Sequence, residues 1–337
     1  MARPHSRPRR TLADLGESAL IARIARRAGH PTEKRWSLAI GDDAALLKTR
    51  AGEELVVSTD AQVEGVHFLF EREGPRRVGR RAAIVNISDL AAMGATPVGL
   101  LMSLCAPPEM ELADFDALVG GFVEEAKRYA CPLVGGNLSR AEKCSVHVTV
   151  IGRCAQGKAL RRGQVRPGDG LYVTGTLGRG ALARLEADAG QTPLRYVPAA
   201  RLEAGQALAR MPEAAGCIDL SDGLATDLGQ LLGDSGFGAA IEARRLPAPR
   251  GFSQGCEGLG LDPVEVQTRG GEDYELLFAL RPRRNSRKGA PGAAAGGGFP
   301  KISTLARRLG VSVTRIGEVV EEEGIQGLPI AASRHHF

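Results

Sequence analysis

Six aspartates fall where a carboxylate is either costly to keep or well placed to act. Asp42 and Asp43 follow an apolar run and Gly41, and Asp60 ends the strand-like LVVSTD, directly behind Ser58 and Thr59. Asp89 sits in IVNISDLAAMGA, and Asp219 and Asp222 bracket Ser221 in CIDLSDGLATDL. Singly, each has a plain structural use: Ser221 or Asp222 as a helix N-cap, Asp60 in a turn, Asp42–Asp43 as a polar strand end. Asp89 resists that use best, because a carboxylate inside an apolar helix is costly unless it is paired or binds a cation. Asn86, three residues earlier, shares its helical face and would make that region a polar site. Together, hard oxygen ligands beside hydroxyls suit Mg²⁺, which lets acids approach a polyphosphate that would otherwise repel them.

The familiar nucleotide signatures do not occur: there is no GxxxxGK[ST] loop and no HRD or DFG set. Gly175–Gly180 (GTLGRG) follows the strand-like LYVT, and its expected role is a tight strand-to-helix connection. An enzyme using ATP here must hold it by another architecture.

The elements that would position these acids alternate along the chain. Helical spacing marks Ser18–Arg27, Arg76–Met93 and Leu112–Tyr129. Strands are expected at Ser37–Ile40, Ala44–Lys48, Leu55–Ser58, Val98–Cys105 and Val146–Cys154. After the turn signal RPGDG come strands at Leu171–Thr174, near Ile218, and at Ala239–Glu242, Glu275–Leu280 and Ser312–Val319. Helices are expected at Gly180–Ala189, Ala199–Arg210 and Leu224–Leu232. The fold class is therefore α/β or α+β in two domains, 14–160 and 161–337. Residues 1–13 are expected to be a disordered arm, and 283–300 a flexible basic insertion (RRNSRKGAPGAAAGGGFP from Arg283).

Composition narrows the function classes. The chain has 337 residues, 43% apolar, with a formal charge of +5. The basic residues gather in the first ten positions and at Arg281–Lys288, without interleaved aromatics, which argues against nucleic-acid binding. The apolar run Val98–Ala106 is far shorter than the roughly 20 residues that a membrane span needs. Six cysteines show neither CxxC nor zinc spacing, as expected of buried thiols in a reducing compartment. A cytoplasmic location is expected, with no membrane or nucleic-acid partner.

Six segments, in this order, resemble the thiamine-monophosphate kinases of the aminoimidazole-ribonucleotide-synthetase-like superfamily. They are IGDDAALL (40–47), VVSTDAQVEGVHF (56–68), VNISDLAAMGATP (85–97), LVGGNLSR (133–140), IDLSDGLATDL (218–228) and GGEDYELLF (270–278). The resemblance implies an N-terminal domain that dimerises through its sheet and a C-terminal α/β domain, acting on ATP and thiamine monophosphate with several Mg²⁺ ions. It implies metal contacts from Asp43, Ser58, Thr59, Asp60, Asp89, Asn137, Asp219 and Asp222, with Asp43, Asp60 and Asp89 forming the catalytic cluster between phosphates. It places Gly136, Asn137, Arg162 and Ser221 at ATP, and His67, Glu272 and Phe337 at the substrate.

Two departures stand out. Asn137 in GGN occupies a position where the family commonly has aspartate, removing one negative charge. The C-terminal Ser333-Arg334-His335-His336-Phe337 lacks the aromatic that usually precedes the final xHF, and Arg334 could pair with a phosphate instead. Sister families fit less well: the hydrogenase maturation factor needs a C-terminal cysteine, and selenophosphate synthetase needs a reactive cysteine or selenocysteine in an N-terminal loop. The first cysteine here is Cys105. A nucleotide-binding regulatory protein without catalysis is the rival from another class.

Overall fold

The structure, a computed structural model, describes residues 10–31, 34–40, 45–190, 193–283 and 298–329. Asp42, Asp43, Arg334 and Phe337 lie outside the described residues, as does most of the 283–300 insertion. The chain divides into two compact units, Met1–Ile87 with Pro97–Arg153, and Ser88–Thr96 with Cys154–Phe337.

The first unit contains α1 (Glu17–Ala28), β1 (Trp36–Leu38), β2 (Leu46–Leu47), β3 (Glu53–Val63), α2 (Phe70–Glu73), α3 (Pro75–Ala92), β4 (Thr96–Ala106), α4 (Leu112–Arg128), β5 (Leu133–Arg140) and β6 (Ser145–Ala155). From Ser88 onward α3 belongs to the second unit. Four strands form one sheet in the order β3-β6-β4-β5, and β1 and β2 pair separately. Helix α1 buries Leu20 and Ile24, packs on α4, and pairs Arg23 with Asp116. The start of α3 is pressed onto α4 through two glycines. A Cβ on Gly79 would lie 1.9 Å from the Leu118 carbonyl oxygen, and one on Gly121 2.1 Å from that of Arg76. No larger residue permits this approach.

Residues 10–13 are ordered, contrary to the expected disordered arm. Leu112 N–H donates to the Arg10 carbonyl, Leu12 N–H donates to that of Met110, and Leu12 is buried. The missed signal is a single leucine, too short a pattern to register as periodicity. Strand β3 also runs past its expected end at Ser58, so Asp60 lies within the strand rather than closing it.

The second unit adds β7 (Gly170–Thr174), α5 (Arg179–Asp188), α6 (Leu202–Ala209), β8 (Ala214–Asp219), α7 (Leu224–Leu232), β9 (Gly238–Ile241), α8 (Phe252–Gly258), α9 (Pro263–Arg269), β10 (Leu276–Leu280), α10 (Ile302–Leu309), β11 (Val313–Val320) and β12 (Ile325–Gln326). Its six-stranded sheet has the order β12-β9-β11-β7-β10-β8. All of its pairings are antiparallel except β12 with β9, so α+β is the apt class. Helix α7 buries Leu224, Leu228, Leu231 and Leu232 against a core that includes Ile218, Leu277 and Ile316. Each such leucine contributes about 1.5–3 kcal/mol, which fixes the helix that follows the Asp219–Asp222 turn. Phe299, at the described end of the insertion, sets its ring edge-on to Tyr172, with Arg315 stacked on it at 4.4 Å.

Candidate active site

The acids of the second unit converge on the turn between β8 and α7. Asp219, the last residue of β8, is 5% exposed. Its Oδ2 accepts a 2.6 Å hydrogen bond from the Ser88 hydroxyl, itself fully buried on α3. Burial drives the Asp219 carboxyl above its ordinary range, and Asp222 adds to this, while the Ser88 bond and the Arg162 charge oppose it. Ser221 is half-buried and Asp222 exposed.

Asp227, a further acid of the IDLSDGLATDL segment, closes this turn. It is 1% exposed, and its Oδ2 accepts from the backbone N–H groups of Asp222 and Gly223, both at 3.1 Å. Gly223, the N-cap of α7, has no side chain, and Asp227 in the first turn reaches back to the amides just before the helix. Burial, with Asp222 and Asp219 nearby, pushes the Asp227 carboxyl up to about 8.

The segment Gly270–Glu275 lies against the same turn. Glu272 N–H donates to the Ser221 carbonyl, and Tyr274 N–H to that of Leu220. Glu272 and Tyr274 adopt φ of 68° and 53°, a strained region for side-chain-bearing residues. The Glu272 carboxylate pairs with Arg184 at 2.7 Å. Asp273 is buried and accepts from the Gly178 and Gly180 amides at 2.6 and 3.0 Å. Those are the amides a phosphate would have needed, so GTLGRG is the strand-to-helix connection its composition predicts. Burial, opposed by these bonds, pushes Asp273 up to about 7. A glycine N-cap, here Gly178, is again served by a buried aspartate, this time from across the sequence.

In the first unit the site residues lie on β3, where Ser58 and Asp60 share one face and Thr59 the other, and on β5. Thr59 and Asp60 are exposed. The Thr59 hydroxyl donates to the Val148 carbonyl at 2.9 Å and accepts from the Thr149 hydroxyl at 3.4 Å. Asp60 Oδ1 accepts from the Ala61 amide at 2.6 Å. Asn137 is exposed on β5, opposite Ser103 of β4, and donates to the Ser139 hydroxyl at 2.8 Å. Gly136 before it has a φ of 152°, and a Cβ there would stand 2.0 Å from the Met102 carbonyl oxygen. Beyond β3, the His67 Nδ1 accepts from the Val63 amide at 3.1 Å, so the ring proton resides on Nε2.

Several expectations need correction or restatement. Asp89 is half-buried rather than enclosed, and the fully buried polar residues of this stretch are Asn86 and Ser88. The Asn86 amide turns back to the Ala82 carbonyl of its own helix, so it does not extend toward Asp89. Arg162 is exposed, donates to Gln230, and lies close enough to Asp219 for its charge to act there. Asp219, Ser221, Asp222, Glu272 and Arg162 share the second unit, whereas Ser58, Thr59, Asp60, His67, Gly136 and Asn137 share the first. Among the described residues, no three His, Cys, Asp or Glu side chains are arranged to hold a metal by themselves.

Comparison with known proteins covers both units. The AIR synthase related protein family matches through its N-terminal domain over residues 41–154 and its C-terminal domain over 166–328. A thiamine-monophosphate kinase of Synechococcus elongatus is 38% identical over 289 residues, covering 81% of this chain and 84% of that protein. The crystal structure of thiamine-monophosphate kinase from Stenotrophomonas maltophilia K279a superimposes with a TM-score of 0.78 at 34% identity, over 93% and 96% of the two chains. AaThiL complexed with AMPPCP and TMP does so with a TM-score of 0.69 at 29% identity, over 98% of each. With both halves matched in order and the identity sustained across them, the chain belongs to the thiamine-monophosphate kinase family.

Proposed function

We propose that this chain transfers the γ-phosphoryl group of ATP to thiamine monophosphate, giving thiamine diphosphate and ADP. The observation that carries it is the likeness, over 98% of each chain, to a relative complexed with AMPPCP and TMP. The carboxylate turn at Asp219–Asp227 supplies the chemistry that such a ligand pair requires.

The donor set fits Mg²⁺. Asp219 and Asp227 are buried, which raises their affinity for protons, and Asp222 adds to both shifts, so the turn crowds carboxylates beyond what its hydrogen bonds compensate. Every group offered is a hard oxygen, as a small divalent cation prefers. Asp219 and Asp222 would hold the metal in the second unit, and Ser58, Thr59 and Asp60 in the first, with Asp43, Asp89 and Asn137 completing the set. Mg²⁺ bound there would neutralise phosphate oxygens and align the two anions.

The residues' own contributions follow from their chemistry. The acceptor phosphate, with a second pKa of about 6, is largely dianionic at neutral pH and requires no strong base. His67, its Nδ1 engaged by Val63, presents an Nε2–H donor suited to an acceptor phosphate oxygen. Glu272 offers a carboxylate to the cationic thiazolium, Phe337 an apolar contact, and Gly136, Asn137, Arg162 and Ser221 bind the nucleotide.

A homodimer formed along the edge strand β3 is part of this proposal, supported by the exposed Leu55 and Val57 there. A cytoplasmic setting is too, and six free thiols accord with it. No described helix is long and apolar enough to cross a membrane.

The test is incubation of the purified chain with ATP, Mg²⁺ and thiamine monophosphate, with free thiamine as a parallel acceptor. Thiamine diphosphate should form from the monophosphate and not from thiamine under these conditions. Nucleotide binding without any product would refute the proposal and favour the non-catalytic regulator.

A further inference from the structure

We propose that Arg81, clamped by Glu73, is a positioning residue that holds His67 in the turn after β3 with its Nε2–H donor presented to the substrate phosphate. The proposal rests on the assignment of His67 to the substrate.

The turn is tied by its own backbone. His67 N–H donates to the Val63 carbonyl at 2.8 Å, the Val63 amide donates back to His67 Nδ1, and Gly65 N–H donates to the Phe68 carbonyl at 2.8 Å. Groups from outside complete it: Cys144 exchanges bonds with Glu64 at the start of the turn, and at His67 itself Arg81 of α3 donates through Nη2 to the carbonyl. Arg81 is 4% exposed, and its Nη1 lies 3.2 Å from Oε2 of Glu73, at the end of α2 and 8% exposed.

A buried ion pair is a poor device for stability, since desolvation offsets most of its Coulomb gain. Its use here is geometric. The guanidinium is planar and rigid, so a pair that fixes one of its edges also fixes the direction of the other. With Glu73 on one edge, Nη2 is aimed at the carbonyl that precedes Phe68, which is itself 3% exposed. The ring of His67 is thereby locked at both ends of its residue, through Nδ1 and through its carbonyl. In this tautomer Nε2 can only donate, which matches a phosphate oxygen and excludes proton abstraction by that atom.

Removing Arg81 alone would leave Glu73 charged and buried, so the test uses the double variant E73M/R81M, whose apolar pair replaces the buried charges by similar volume. We expect it to fold, to raise the KM for thiamine monophosphate by about tenfold or more, and to leave the KM for ATP unchanged. Imidazole ¹⁵N spectra should show His67 unprotonated at Nδ1 in the wild type and mixed between tautomers in the variant. Wild-type spectra with Nδ1 protonated would overturn the proposal without any variant. So would a folded double variant with wild-type KM and nitrogen shifts. H67A separates the two layers. If it leaves the KM for thiamine monophosphate unchanged, the substrate assignment of His67 fails, and the nitrogen shifts alone then decide whether Arg81 positions the ring.

Discussion

Asp60 and Asp219 carry the same side chain under opposite conditions. Asp60 stands exposed within β3, bonded to its neighbour's amide. Asp219 is enclosed at the end of β8, bonded by Ser88 and adjoined by Asp222 and Asp227, and burial drives its proton affinity up. The exposed carboxylate stands where a ligand can reach it. The buried one is stable only when a proton or a cation discharges it. Both suit a Mg²⁺-dependent phosphoryl transfer, but they should fail differently when altered.

The largest expected effect is at Asp60. D60A should lower kcat by about 10³-fold or more, while its melting temperature stays within about 1 °C of wild type, because exposed substitutions seldom alter stability. A D60A protein with wild-type turnover would remove the first unit's acid from the mechanism. The buried side breaks through its support: S88A leaves Asp219 without its hydroxyl donor, at a cost of about 1.5–3 kcal/mol for a bond to a charged group. Turnover should fall by about tenfold or more, with a measurable drop in stability as well, so the two regions separate in a joint assay of activity and melting.

The third expectation concerns pH. The ordinary value for Asp227 is 3.8 and its value in the fold is about 8, so the unfolded chain ionises first as pH rises. The stabilisation is therefore complete below 3.8 and is lost progressively as pH rises through about 8. Melting temperature should fall by a few degrees, on the order of 5 °C, between pH 6 and 8.5. D227N should flatten that slope, and added Mg²⁺ should flatten it in wild type by favouring the ionised carboxylates. A slope as steep in D227N as in wild type would contradict the assignment of the buried charge. The smallest effect is expected at exposed Asn137, where N137D adds one charge beside the first unit's acids. It should lower the Mg²⁺ concentration for half-maximal activity by roughly two- to fivefold, with kcat little changed.

These contrasts bear on what the sequence disclosed. The long periodic elements were legible: α3, α4 and α7 end within a residue or two of their expected bounds, as do β4 and β7. Helix α8 (FSQGCEG) was not, since seven residues with two glycines carry no periodic apolar face. Strand β5 was read as a motif and not as a strand, because LVGGNLSR is polar and glycine-rich. The order of acids was legible too, but which acid is buried was not. Asp89 has the more apolar sequence surroundings, yet among the described residues Asp169, Asp219, Asp227 and Asp273 are the buried aspartates. Asp227 has a local signal and Asp273 does not. Gly223 and Gly178 each open a helix without a capping side chain, but the aspartate that accepts from the glycine amide is four residues away in one case and 95 in the other. Burial is a property of the packed chain, whereas a missing cap can be seen in the string of residues.

The most direct test of the central claim follows the phosphorus atom. With ATP labelled at the γ-phosphate, Mg²⁺ and thiamine monophosphate, the wild-type chain should place the label in the terminal phosphate of thiamine diphosphate, one for each ADP formed. D60A should abolish that transfer while remaining folded. Label released as inorganic phosphate with no labelled thiamine diphosphate, or transfer undiminished in D60A, would contradict the account.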